Sequence, residues 1–341
     1  MLSSLLLINQ IQATVIVTHG LGTTGIAFYQ NSSYIQKIAE SAQLMGHQVK
    51  CIPWLASYNP HKEYAGLLPQ ERIIGAVAIA KAIIDECAQK NQIILIGHSY
   101  GGHIMNCATR LLNPANKELT DSFICELITI IKKMTNQNQT RGFSPKVVLN
   151  TLFTGWQLSQ VIISAIEKTD IINKNIIEFI KQHLSLSYLE EIKKAWDTAF
   201  NEVQSYKKIK GISHINNIKI VYTIGTTFSG DSIFIPDMQI VDHHINLYSI
   251  DDFMPALFGN QCAPLHERTS NLSVFIDPSK SYAPTHHNFC GNIVMAPWIL
   301  LIPENLKAKK IGNFQNFQWG ISGSITFHEQ QPPTYIAYPT S

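Results

Sequence analysis

Residues 92–102, QIILIGHSYGG, join an almost unbroken apolar run to a serine flanked by glycines. The run at 92–96 is typical of a strand that is buried on both faces of a parallel sheet. After Gly101 the sequence turns helical, through Arg110. A strand, a sharp turn and a helix in direct succession predict that Ser99 stands at a tight bend between two regular elements.

The sequence on both sides of this stretch alternates strand and helix signals. Short β-branched or apolar runs predict strands, and apolar residues at helical spacing predict helices between them. The strands are predicted at 14–18, 48–52, 146–149, 219–224 and 272–276, and the helices at 35–45 and 72–88. This alternation predicts an α/β fold with a doubly wound, mostly parallel sheet.

The predicted core is interrupted along the chain. Residues 13–156 and 217–302 are assigned to the α/β core, 157–216 to a helical insertion, and 303–341 to a C-terminal tail packed on the core. A turn signal around Gly320 predicts a hairpin within that tail.

Two amphipathic helical segments are predicted, at 117–134 and 158–210. The second contains a capping-box pattern at 187–190. Helices inserted after the middle strands would either cover the site as a lid or pack as ordinary helices. The sequence leaves both alternatives open.

The composition describes an ordinary globular chain with little net charge. Its 341 residues are 45% hydrophobic and 15% charged, with a net charge of +2 and no block of Lys or Arg. This argues against a nucleic-acid partner. Six cysteines stand singly, so we expect free thiols, although the spacing leaves disulfides open. No stretch of the sequence approaches 18 uninterrupted apolar residues, so no membrane-spanning helix is predicted.

The first 13 residues leave the compartment open. They contain a short apolar run at 5–8 and end Ile11-Gln12-Ala13, similar to the end of a secretory signal peptide, but they carry no Lys or Arg. A cytoplasmic location is favoured, and secretion stays open.

The glycines of Gly97-His98-Ser99-Tyr100-Gly101 fit a serine that acts as a nucleophile. A serine on a sharp turn adopts strained backbone angles, and side chains two residues before and after it would clash, which glycine avoids. The turn also directs the N–H of Tyr100, at a helix N-terminus, toward the place where an oxyanion would form. The motif therefore predicts acyl transfer with Ser99 as the attacking group.

A second glycine-rich motif follows the first predicted strand. It reads His19-Gly20-Leu21-Gly22, and its glycines allow the backbone to approach a substrate closely. An acyl-transfer site needs two backbone N–H donors, one after the nucleophile and one from a loop across the pocket. We therefore expect the N–H of Leu21 to be the second donor.

The same segment also fits a dinucleotide-binding loop. Residues 20–25 read G-x-G-x-x-G after a strand. That alternative requires an acid at the end of the second strand for the ribose hydroxyls, but residues 51–54 read CIPW. It also leaves the motif at Ser99 unexplained.

The two motifs together resemble the α/β-hydrolase superfamily, and lipases and serine esterases most. HGLG and GHSYGG are spaced by about one β-α-β-α unit, and the resemblance covers roughly residues 13–112. It implies a nucleophile–acid–histidine order along the chain, with the acid after a late strand and the histidine after the last one.

Asp231 is the acid that the resemblance implies. The predicted strand at 219–224 runs into residues 229–236, SGDSIFIP, which are similar to the G-D-x-x-V-P stretch that holds the acid in many lipase-like hydrolases. Asp237 and Asp242 are the alternatives, and either could be a solvated loop acid.

His286, or His287 beside it, is the histidine that the resemblance implies. Both follow the last predicted strand. In the hydrolases that the chain resembles, an apolar residue often stands three positions after the catalytic histidine, as Phe289 does after His286. His243 and His244 come before another strand could cross the sheet, so they are disfavoured.

Other roles for these residue types compete with this interpretation. The imidazoles of two histidine pairs, His243–His244 and His286–His287, could hold a metal ion. Adjacent histidines rarely ligate one ion and no Cys pair accompanies them, so neither a metal nor a cofactor is expected. His98 and His103 are interpreted as packing or turn residues. Trp54, Phe153 and Trp156 either line an acyl pocket or pack in the core or at the rim.

The function that follows is cleavage of a carboxylic ester through an acyl-enzyme on Ser99. The expected partner is a small-molecule or lipid acyl ester, with the helical insertion contacting a lipid interface. Two alternatives stay open: an acyltransferase or thioesterase with the same triad, and a non-catalytic binding protein on a hydrolase scaffold.

Overall fold

The fold of the chain is given by a computed structural model. It describes residues 13–20, 34–54, 69–119, 186–228, 233–248, 262–264, 266–276, 313–316 and 321–327. The predicted strand at 146–149, most of the predicted helix at 117–134 and the first part of the predicted insertion lie outside these residues.

Eight described strands form one sheet in the order β2-β1-β3-β4-β5-β6-β8-β7. The first six in this order run parallel, and β8 and β7 continue the sheet as antiparallel strands beside β6. The strands are β1 Ala13–Thr18, β2 Gln48–Cys51, β3 Gln92–His98, β4 Ile218–Ile224, β5 Val241–Tyr248, β6 Thr269–Ile276, β7 Asn313–Asn316 and β8 Ile321–Phe327.

Helices cover the parallel part of the sheet. They are α1 Tyr34–Leu44, α2 Pro69–Ala88, α3 Tyr100–Leu112 and α4 Leu186–Ile209, with a short 3₁₀ turn at Pro114–Asn116. α2 packs against both α3 and α4, whereas α1 lies on β1 and β2. The path from β1 to β2 runs opposite to the path from β2 to β3, so right-handed crossovers put α1 and α2 on opposite faces. The described core is therefore an α/β fold with a six-stranded parallel sheet, and its strand order is compatible with a doubly wound sheet.

The strands form where the sequence can be buried on both sides. All six residues of β1 are buried, and β3 is buried from Leu95 onward. Their branched side chains suit a pleated surface between two helical layers. The core on the α2 side is completed by α4, whose Trp196 is wholly buried against it.

Strand register brings three chain segments to one edge of the sheet. Gly97 near the end of β3 pairs with Thr18 at the end of β1 and with Thr223 near the end of β4. Because the strands are parallel, the loops that follow them emerge at this same carboxyl edge. Ser99 therefore lies between the loop after β1 and the loop after β4.

Most of the predicted elements within the described residues are confirmed. The strands predicted near 14, 48, 92, 219 and 272 and the helices predicted near 35, 72 and 102 all form, and the predicted tail hairpin corresponds to β7 and β8. α4 begins at Leu186, so Ser187 lies inside the first helical turn and is not the N-cap that the capping-box pattern predicted.

Two further results concern residues that the sequence placed less well. β5 was not predicted at all, although it pairs with β4 along most of its length. Residues 186–209 pack in the core, which is the packing alternative for that part of the insertion.

Among the described helices, none has the length and apolar character needed to cross a bilayer. Cys51, Cys87, Cys107 and Cys262 are free thiols, as expected, whereas Cys125 and Cys290 lie outside the described residues.

Candidate active site

Ser99 occupies a strained bend between β3 and α3. Its backbone angles are φ 54° and ψ −122°, a combination that residues with a side chain rarely adopt. Its N–H donates to the carbonyl of Ile224 at 2.8 Å. Its carbonyl accepts hydrogen bonds from the N–H of Gly102 at 3.0 Å and the hydroxyl of Thr226 at 3.1 Å. Neighbouring segments therefore hold the bend, while the serine itself stays partly exposed.

The glycines on either side of Ser99 are required by close backbone contacts. A Cβ atom at Gly97 would lie 2.4 Å from the carbonyl carbon and oxygen of Gly101. A Cβ atom at Gly101 would lie 2.6 Å from the carbonyl oxygen of His19. Both distances are far below van der Waals contact, so the tight turn predicted from the motif is confirmed, with its steric reason.

The loop after β1 reaches the serine directly. A Cβ atom at Gly20 would lie 2.9 Å from the Cβ atom of Ser99 and 3.2 Å from the carbonyl oxygen of His98. Only glycine allows this approach without a shift of the bend. Gly20 and Ser99, which are 79 positions apart in the sequence (99 − 20), are therefore neighbours in the structure, and so are the two glycine-rich motifs.

His19 is buried beside this contact and interacts with its own loop. Its Nδ1 lies 2.7 Å from the carbonyl oxygen of Gly20, and because a carbonyl only accepts, the hydrogen is assigned to Nδ1. Burial lowers the pKa of His19 to about 4, although the hydrogen bond to Gly20 acts in the opposite direction. The ring is therefore neutral at neutral pH.

Behind Tyr100, a buried arginine connects α2 with α3. The Arg72 guanidinium lies 4.8 Å from the centre of the Tyr100 ring and 4.4 Å from that of Phe234. It donates from Nη1 to Nδ1 of His103 at 2.5 Å, and Nε2 of His103 donates to the carbonyl of Thr227 at 2.7 Å. Burial, and then the charge of Arg72, lower the pKa of His103 to about 3. With both ring nitrogens engaged, His103 is a packing residue, as predicted.

The chain on both sides of residues 229–232 is anchored to α3. On the near side, Thr226 and Thr227 bond to Ser99 and His103 as described above. On the far side, the carbonyl of Phe234 accepts from the Asn106 amide at 2.8 Å, and the carbonyl of Ile235 accepts from Arg110 Nε at 2.8 Å. The described residues on both sides of positions 229–232 are therefore held by α3. Asp231 itself lies outside the described residues.

The two alternative acids lie away from Ser99. Asp237 is buried and accepts from the side-chain amides of Asn113 and Asn116, each at 2.7 Å, beyond the C-terminal end of α3. That end is about 20 Å from Ser99 along the helix. Asp242 stands at the amino end of β5, at the opposite edge of the sheet, and pairs with Lys219 Nζ at 2.7 Å. Neither is placed to orient a histidine beside the serine.

The adjacent histidines His243 and His244 are part of β5 itself. Adjacent residues of a strand face opposite sides of the sheet, so His243 and His244 diverge. His243 Nε2 lies 3.0 Å from the hydroxyl of Ser270, and His244 Nε2 lies 2.9 Å from that of Thr223. Within the described part of the chain, no group of three or more His, Cys, Asp or Glu side chains is arranged to hold a metal ion.

The structure thus brings together part of the predicted site. At the carboxyl edge, Ser99 lies against Gly20, and Gly101 lies against His19 and Gly97. Tyr100 stands between Ser99 and Gly101 at the start of α3. The other predicted members lie outside the described residues; these are Leu21, Asp231, His286 and His287, together with the pocket candidates Phe153 and Trp156.

Two residues near the site were missed or interpreted differently from sequence. Thr226 was not singled out, because a threonine in a loop carries no signal until the partner strand is known. Trp54 is only 3% exposed and donates from Nε1 to the carbonyl of His19 at 2.9 Å. The core-packing alternative therefore holds for Trp54, with a polar contact that the sequence did not indicate.

No protein-family model matches the sequence, and a search of curated proteins finds no relative.

Proposed function

We propose that the chain is a serine hydrolase with an α/β-hydrolase fold that cleaves carboxylic esters through an acyl-enzyme on Ser99. The observation that carries the proposal is the strained backbone of Ser99 at the strand–helix bend, with Gly20 against its Cβ. Strain of this kind costs on the order of 1–3 kcal/mol and is kept in proteins mainly at functional sites.

The proposed reaction uses the serine hydroxyl as the nucleophile. Ser99 Oγ attacks the ester carbonyl carbon, and its proton passes to His286, with His287 as the alternative base. The carbonyl electron pair moves to oxygen and returns as the alcohol leaves with the proton from the histidine. Water, activated by the same histidine, then attacks the acyl-enzyme and releases the acid.

Two backbone donors are proposed to bind the oxyanion. The N–H of Tyr100 stands in the first turn of α3, where amides have no acceptor within the helix and the helix dipole favours negative charge. The N–H of Leu21 is the second donor, next along the chain from Gly20. Each such donor is worth roughly 2.7–4 kcal/mol in transition-state stabilisation.

Asp231 is proposed to orient the histidine. Support comes from the anchored chain on either side of it, because Thr226 already contacts the carbonyl of Ser99. The presence of β5 adds two competitors, Asp251 and Asp252, which follow the end of β5 by three and four residues. Parallel strands send the loops after β4 and β5 to one edge of the sheet, so all three acids are included in the test.

Loss of the serine hydroxyl should abolish the activity. We expect Ser99→Ala to lower kcat on p-nitrophenyl esters by on the order of 10⁶ and to prevent labelling by a fluorophosphonate probe. Ser205→Ala, an exposed change on α4, is the matched control and should leave both unchanged. An ester panel from acetate to palmitate identifies the acyl chain. Near-normal turnover or labelling of the Ser99 variant would exclude this serine.

The acid is tested by the same assay. Asp231→Asn is expected to lower kcat by about 10⁴, as loss of the orienting carboxylate does in serine hydrolases. Asp251→Asn and Asp252→Asn test the two competing acids and should retain activity if Asp231 is the orienting carboxylate. A large loss confined to either of these two would transfer the role from Asp231 to the loop after β5.

A further inference from the structure

We propose that Trp54 is a positioning residue that holds the His19–Gly20 backbone in the orientation needed to bind the oxyanion. The inference rests on the proposed function of Ser99. It assigns a catalytic consequence to an indole N–H that touches neither the substrate nor the serine. It is carried by a chain of contacts from β2 through Trp54 to the loop beside Ser99.

Trp54 is fixed from two sides. Two residues before it, Ile52 donates its N–H to the carbonyl of Val17 at 3.0 Å and accepts from the Thr18 hydroxyl at 2.6 Å, so this segment is tied to the end of β1. On the other side the indole lies against α2, where a Cβ atom at Gly75 would come within 2.8 Å of the ring. The indole has little freedom to turn.

From this fixed position Trp54 holds the backbone at His19. Its Nε1–H donates to the His19 carbonyl at 2.9 Å, and the two rings stack with centroids 5.7 Å apart and planes inclined by 22°. The same carbonyl oxygen packs against Gly101, within 2.6 Å of the Cβ that an alanine there would carry. One carbonyl therefore connects the loop after β1, the indole and the turn after Ser99.

The stacked His19 ring extends this control to the next peptide group. Its Nδ1 donates to the Gly20 carbonyl at 2.7 Å. The Gly20 carbonyl belongs to the same planar peptide group as the proposed second donor, the N–H of residue 21. The proposal is that a contact holding this carbonyl also orients that donor. Trp54 thus acts on the proposed donor through two consecutive peptide groups, and a displacement of about 1 Å in such a group can cost 10²-fold in rate.

The test removes the indole N–H and keeps an apolar ring. We expect Trp54→Phe to lower kcat on the best ester of the panel 10–100-fold, with KM changed less than twofold, because an oxyanion donor acts in the transition state. The affinity for a trifluoromethyl ketone, which forms a tetrahedral adduct on the serine, should fall by a similar factor.

Trp196→Phe is the matched control. Trp196 is also buried and also donates its indole N–H to a backbone carbonyl, that of Lys117 at 3.0 Å, but it packs between helices in the core. Both variants should lose similar stability in urea, whereas only Trp54→Phe should lose kcat and affinity for the ketone. If Trp54→Phe does not fold, replacement of Trp54 by 3-benzothienylalanine keeps the two-ring shape and removes only the N–H.

The outcomes separate this inference from the proposed function. A wild-type protein that neither reacts with the fluorophosphonate nor cleaves esters would overturn the proposed function. A wild-type protein that does both, with Trp54 and Trp196 variants equal in kcat and in ketone affinity, would overturn the role of Trp54 alone. A rise in KM without a fall in kcat would likewise assign Trp54 to substrate binding and contradict the inference.

Discussion

At the residue scale, the bend at Ser99 can form only because the glycines around it have no Cβ atom. A side chain at Gly97 or Gly20 would meet backbone or a Cβ atom, which cannot rotate away as the end of a long side chain can. Three hydrogen bonds on the backbone of Ser99 offset the strain of its positive φ. The local geometry is therefore held by both sterics and hydrogen bonding.

Gly97→Ala should open this bend. The new Cβ would stand 2.4 Å from the Gly101 backbone, so we expect a loss of about 1–3 kcal/mol or more in the free energy of unfolding, together with loss of fluorophosphonate labelling. Gly211→Ala is the control, because its φ of 69° is left-handed but its Cβ would meet nothing within 4 Å. That change should cost about 1–2 kcal/mol and leave labelling intact. Urea unfolding and labelling of folded protein measure both effects.

At the scale of elements, β1, β2 and α2 meet around one carboxylate at the amino end of the sheet. Glu86 on α2 is buried and accepts from the Thr14 hydroxyl at 2.6 Å and the Asn91 amide at 2.7 Å, and it pairs with Lys50. Burial by itself would raise the pKa of Glu86, but the hydrogen bonds from Lys50, Thr14 and Asn91 outweigh it and hold the pKa below its ordinary value. The ionised form therefore stabilises the fold.

Glu86 should make the protein sensitive to acid. Because its pKa is lower in the folded state, the unfolded chain takes up the proton first. This contribution to stability is fully present above the ordinary glutamate pKa of about 4.3 and is lost as the pH falls from there through the lower folded-state pKa. We expect Glu86→Gln to be less stable at neutral pH and to lose less stability between pH 6 and pH 3.

Glu202→Gln is the control for this measurement. Glu202 pairs with Lys81 at 2.6 Å, but both side chains are well exposed, and exposed pairs contribute little to stability. The free energy of unfolding of the Glu202→Gln variant, measured in urea across the same pH range, should follow that of the wild type. If the free energy of unfolding of Glu86→Gln fell with pH as steeply as that of the wild type, the role assigned to this carboxylate would be contradicted.

At the scale of the whole molecule, Asp237 connects the end of α3 with the approach to β5. Its carboxylate accepts from the side-chain amides of Asn113 and Asn116 and from the N–H of Gln239 at 2.9 Å, and its own N–H donates to Thr109 at 2.8 Å. The bonds to Asn113, Asn116 and Thr109 join segments that are more than 100 residues apart in the sequence. Asp237 is therefore a structural residue that holds two parts of the core together.

Asp237→Ala should weaken the fold without touching the chemistry. Loss of the carboxylate leaves buried amide groups without their acceptor, and we expect a loss of about 1–3 kcal/mol. Fluorophosphonate labelling per folded molecule should be unchanged. Asp242→Ala, which removes an exposed partner of Lys219, should change stability by less than about 1 kcal/mol. A folded Asp237 variant that no longer reacts with the probe would restore Asp237 as a candidate acid.

The sequence by itself determined the parts of this protein whose causes are local. Burial on both faces shows as a β-branched run in β1 and an almost unbroken apolar run in β3. The tight turn after β3 shows as Gly97, whose Cβ would meet the nearby Gly101 backbone. Helical spacing likewise indicated α2 and α3 close to their observed limits. These features depend on residues within a few positions of one another, so a pattern in the chain can carry them.

Only the tertiary structure decided the features that depend on distant partners. The sequence of β5 lacks the pattern of a buried strand because it contains the polar residues His244 and Asn246. These side chains can be buried there because they form hydrogen bonds with Thr223 and Asn271 on the neighbouring strands. The same holds for Trp54, whose indole N–H donates to the carbonyl of His19 because the fold places the ends of β1 and β2 side by side. A buried polar group is defined by what satisfies it, and that partner is set by the fold and not by neighbours in the chain.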